Sequence, residues 1–98
     1  MKVYTLLVHV GRKAGDGLPD GCIGAALLCY SSGRDEAEAV RETVAVLKKA
    51  DLAPLEVEGH GASNDAADIP AEERKLMDRA LAENAVILAQ MTPLFEED

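Results

Sequence analysis

Large aromatic residues are almost missing from this chain: there is no tryptophan, and Tyr4, Tyr30 and Phe95 are the only tyrosines and phenylalanine. Few rings are thus on hand for stacking bases, which disfavours a surface that reads nucleic acid in that way. The charge points the same way. Eighteen acidic residues against ten basic give a net charge of −8, and a phosphate backbone is repelled by such a surface. Hydrophobic runs are short, well below the roughly 18 residues a membrane-spanning helix needs. The start, Met1-Lys2-Val3-Tyr4, lacks the basic segment and long apolar stretch of a signal peptide. No nucleic-acid or membrane partner is expected, and the cytoplasm is the expected location.

Cysteine is scarce too. Cys22 and Cys29 are seven residues apart in one expected strand, where odd spacing sends side chains to opposite faces. They are expected to be small buried hydrophobes that form no disulfide with each other. No C-x-x-C or H-x-x-x-H pattern occurs, so no metal and no cofactor is expected.

What the chain does have is apolar material for one core. At 98 residues with 48% hydrophobic content, it matches a single domain spanning 1–98. Lys2–Val10 is rich in residues that suit a pleated surface. Both of its faces are apolar, which predicts an interior strand. Glycines and Pro19-Asp20-Gly21 mark a loop over Gly11–Gly21. A second strand is expected over Ile23–Ser31, with little side-chain volume at Gly24, Ala25 and Ala26.

The clearest helix runs from Asp35 to Ala50, its apolar stripe read as Ala37, Val40, Val44 and Leu47. Leu55–Glu58 reads as a short edge strand guarded by Pro54, Glu56 and Glu58. Gly59–Asp68 is a polar loop. Pro70 opens a second helix reaching about Asn84. Ala85–Met91 is the last strand, with Pro93 as its stop and residues 93–98 as an acidic tail.

The element order is ββαβαβ. It implies an α+β fold: a two-layer α/β sandwich of four mixed strands with two helices on one face, ferredoxin-like in spirit. Two helices on one face leave the other face apolar and open. That predicts a homo-oligomer, most simply a dimer joined through the helix-free sheet face.

Three constellations bear on chemistry. The glycine-rich loop lacks the Gly-Lys-Ser/Thr of a P-loop and reads as a flexible hairpin loop, with an anion met by Arg12 and Lys13 as the lesser alternative. His60, between two glycines after a strand, is the leading ligand-binding candidate. Ser63 is a group it would activate, and Asp65 or Asp68 would orient it. His9, on an otherwise apolar strand face, is the other candidate.

No catalytic residue set emerges from these patterns. The reading they favour is a non-enzymatic, homo-oligomeric binding or interaction module with a protein or small molecule as partner. Two alternatives stand beside it. One is a small enzyme or ligand-binding protein using the Gly59–Asp68 loop. The other is an acidic, inhibitor-like or immunity-type protein covering a basic partner, since seven acids and no lysine or arginine lie between Lys49 and Arg74.

Overall fold

The first two strands pair because they are neighbours in sequence and both alternate apolar residues on two faces. β1 (Lys2–Val10) and β2 (Cys22–Gly33) form an antiparallel hairpin. The computed structural model describes residues 2–62 and 70–95. Beyond the hairpin come α1 (Glu36–Lys49), β3 (Pro54–Ala62), α2 (Ala71–Glu83) and β4 (Val86–Phe95). The fold is α+β: one four-stranded sheet in the order β3-β1-β2-β4, with two helices. Every pairing is antiparallel, which replaces the expected mixed sheet. β1 is interior and β3 is an edge, both as read from the sequence.

The registers also decide where the helices lie. Tyr4, Leu6 and Val8 of β1 stand opposite Ser31, Cys29 and Leu27 of β2, so these side chains share one face. That face packs on Ala39 and Leu47 of α1, with Leu52 beyond the helix. Val3 of β1 and Tyr30 of β2 point the other way, where they meet Met77 and Ala80 of α2 and Ile87 of β4. The helices therefore occupy opposite faces, in place of the single face expected. β3 and β4 are opposite edges, so the chain joining them crosses the sheet, and α2 does so on the face that α1 leaves open. The helix-free face through which a dimer was expected is thus partly covered by α2.

Local signals explain the element ends. Asp35 caps α1 by accepting a hydrogen bond from the Glu38 N–H at 2.8 Å, which removes one orphan donor of the first turn. Pro70 precedes α2, and Asn84 ends it in the left-handed region at φ 49°. β4 runs through Pro93 instead of stopping there. An edge strand tolerates proline because the missing N–H can face outward. Residues 93–95 are consequently strand, not tail.

The buried stripe of α1 is Ala39, Thr43 and Leu47, rotated from the all-apolar stripe expected, and Ala37 is exposed. Thr43 is fully buried because its hydroxyl is satisfied: it donates to the Ala39 carbonyl at 2.7 Å and lies 2.5 Å from the Ser31 hydroxyl.

Cys22 and Cys29 are free and buried in the same core cluster, not on opposite faces. The pairing with β4 passes over Ile23, and this bulge resets the alternation. Seven residues of strand still hold the two thiols roughly 20 Å apart, beyond disulfide reach. Burial pushes the Cys29 thiol up to about 11.

Candidate functional site

The candidates of the sequence are not brought together as a set. His9 is half-buried on the face opposite α1, in register with Ala26 on one side and Glu56 on the other. His60 belongs by its backbone to β3, which extends to Ala62, so Gly59–Ala62 is strand and not loop. It lies four residues along β3 from Glu56, the register partner of His9, about 13 Å at strand rise. The side chain of His60, and the residues Ser63, Asp65 and Asp68, lie outside the described residues. Among the described residues no group of three His, Cys, Asp or Glu side chains is placed to hold a metal.

The glycine-rich loop is organised inward. The Arg12 guanidinium contacts the Asp16 carboxylate at 3.1 Å and donates to the carbonyls of Cys22 at 2.7 Å and Pro19 at 3.3 Å. Asp16 in turn accepts from the backbone N–H groups of Lys13 at 2.9 Å and Leu18 at 3.0 Å. These two amides, and then Arg12, hold the Asp16 carboxyl down at about 2. Arg12 therefore ties the hairpin loop together, which takes up one of the two positive charges in that loop.

Two features went unread in the sequence. The first is a cleft of about 340 Å³ between α1 and the start of β4. Glu38, Glu42 and Val46 form its α1 wall at i, i+4, i+8 spacing. Ser32, Asn84, Ala85 and Val86 complete it. Ser32 donates to the Asn84 side-chain oxygen at 2.8 Å, which ties the end of β2 to the turn after α2. The Arg34 guanidinium bonds Glu38 at 2.8 Å and lowers the pKa of that carboxyl. The lining of the cleft thus combines the carboxylates Glu38 and Glu42 with the apolar Val46, Ala85 and Val86. Its α1 wall was legible as spacing, but its other wall needs the β2–β4 pairing.

The second feature is the outer side of β4. Leu88 is 48% exposed, Met91 42%, Leu94 36% and Phe95 56%. Leu88 and Met91 stand opposite Cys29 and Leu27, so both lie on the α1 face. A register shift between Leu28 and Cys29 lets residues three apart share that face. Val46 of α1, 42% exposed, is the helix's contribution to the exposed apolar surface. From Asn84 to Phe95 the chain has no charged residue. The opposite edge, β3, carries exposed Glu56 and Glu58 and begins at Pro54. The signal for β4 was present in the sequence as that uncharged run.

No helix among the described residues is long and apolar enough to cross a membrane. Comparison with curated proteins and with solved structures returns no match. A family model does match, over residues 3–95, which takes in all six elements from the second residue of β1 to the end of β4. The chain accordingly belongs to the family described as a domain of unknown function, DUF8846.

Proposed function

We propose that this protein is a homo-oligomeric interaction module that works by contact rather than by bond chemistry, with the β4 side as its contact surface. The observation that carries the reading is the exposure of Leu88, Met91, Leu94 and Phe95 along an uncharged strand, in a chain of net charge −8. Apolar side chains clustered along one border mark interaction sites. Small domains also gain stability by burying such surface against a copy.

Sedimentation velocity over a wide concentration range tests this. Species heavier than the 10.4 kDa chain are expected at micromolar concentration. A sharp 10.4 kDa species persisting to millimolar concentration overturns the proposal.

A further inference from the structure

Resting on that reading, we infer that two copies join edge to edge, β4 against β4, about a two-fold axis that makes one continuous eight-stranded antiparallel sheet.

The first argument is hydrogen bonding. An edge strand carries a row of outward N–H and C=O groups that template another strand. β4 spans ten residues, Val86–Phe95, and pairs on one side only among the described residues. Antiparallel pairing of a strand with its own copy is self-complementary and closes after two.

The second argument is charge. Two chains of net charge −8 repel each other over most of their surfaces. The stretch from Asn84 to Phe95 carries no charge, so it is where a second copy approaches without placing carboxylate against carboxylate. A basic partner would seek the acidic surface instead, and this uncharged border offers it nothing.

The third argument is closure. β3 is the only other edge of the sheet, and Glu56, Glu58 and Pro54 guard it. Pairing therefore stops at the dimer instead of growing into a fibre. The two-fold axis stands normal to the sheet, so the α1 faces of both copies lie on the same side. Leu88 and Met91 of one copy then flank those of the other.

Pro93 indicates which backbone groups point outward. It pairs in register with Ala25, as Met91 pairs with Leu27, and the register is unbroken between them. Residues two apart in a strand direct their backbone groups to the same side. With the missing N–H of Pro93 facing outward, the Met91 N–H faces outward as well. Met91→Pro thus removes a donor from the open edge and leaves the pairing with β2 intact.

The test compares the full chain with Met91→Pro, Met91→Lys and Leu88→Lys by sedimentation velocity, with circular dichroism to verify the fold. Leu55→Lys on the β3 edge, where Leu55 is 75% exposed, is the control. The expected wild-type species is twice 10.4 kDa. Each β4 variant that keeps its fold should weaken association at least tenfold, and the control should not. Added salt should tighten the wild-type dimer by screening like charges. If Met91→Pro unfolds the strand, the two lysine variants decide alone. A dimer indifferent to every folded β4 variant overturns the edge-to-edge arrangement while leaving the interaction module standing. A monomer at all concentrations overturns both. Open-ended growth overturns the closure argument and with it the two-fold dimer.

Discussion

Ser31 and Thr43 link β2 to α1 through a buried polar contact whose two halves are unequal. Both residues are 0% exposed. The Thr43 hydroxyl has one proton, which goes to the Ala39 carbonyl at 2.7 Å. In the 2.5 Å contact with Ser31, the serine must therefore be the donor and Thr43 the acceptor. Replacing Thr43 by valine keeps the shape and removes the acceptor. The Ser31 O–H is then buried without a partner, a loss of about 1–3 kcal/mol. Replacing Ser31 by alanine removes the donor, while Thr43 still donates to Ala39. That loss should be smaller, about 0.5–1.5 kcal/mol.

In the double variant the orphaned hydroxyl is gone. Its loss should fall short of the sum of the two singles by about 1 kcal/mol or more. Urea unfolding followed by circular dichroism measures all four corners of the cycle. Protein concentration must be held constant, because association shifts apparent stability. In thermal melts each kcal/mol corresponds to about 4–8 °C for a domain of this size. A Thr43→Val variant no weaker than Ser31→Ala would refute the assigned donor direction. So would a double variant whose loss equals the sum.

Two further outcomes follow from the hairpin. The folded-state pKa of Asp16 lies below its ordinary value of 3.8, at about 2, so its contribution to the loop is fully present above pH ~4 and fades as pH falls toward 2. Protection of the Lys13 and Leu18 amides, taken relative to their intrinsic exchange rate at each pH, should fall as pH drops through that window, and Asp16→Asn should abolish the dependence. Gly24 has no room for a side chain, because a Cβ there would collide with the Val10 carbonyl oxygen. Gly24→Ala should cost about 1–3 kcal/mol, read as a lowered urea midpoint, and a midpoint equal to wild type would contradict the close approach of the two strands.

Most elements were legible because their signals are local. Alternation marked Lys2–Val10, and its two apolar faces marked it as interior. Glu56 and Glu58 marked an edge. Pro70 and Asn84 bracketed the second helix. What escaped was non-local. Nothing near Thr43 in sequence announces that Ser31 and the Ala39 carbonyl will satisfy its hydroxyl, so a polar residue in the buried stripe could not be read. The parity of Cys22 and Cys29 failed because a bulge at Ile23 depends on the partner strand. Pro93 reads as a stop in sequence because only the strand order shows that its strand is an edge. The sides taken by the helices depend on which face each connection crosses, a choice made by long-range packing. The cleft shares this origin: Glu38, Glu42 and Val46 meet Ser32, Asn84 and Val86 only once β4 has docked on β2. Of the histidine constellation, His9 is a strand residue beside Glu56, distant along the sheet from the His60 backbone.

The strand order also sets a sequence of events in time. Only β1 and β2, at the centre, are joined directly; β3 and β4 are each reached through a helix and dock on a hairpin already in place. Contacts between distant segments form late, since loop-closure entropy is lost before they compensate it. The hairpin with α1 is thus the natural nucleus, and β4 is the last described strand to be synthesised and to find its place. Until it arrives, the backbone of β2 from Cys22 to Ser31 stands open along the very row β4 will occupy. A growing chain therefore presents that core row of the sheet to its neighbours for the time it takes to make α2 and β4. Exposure of that row during synthesis is the point at which this topology invites misassociation.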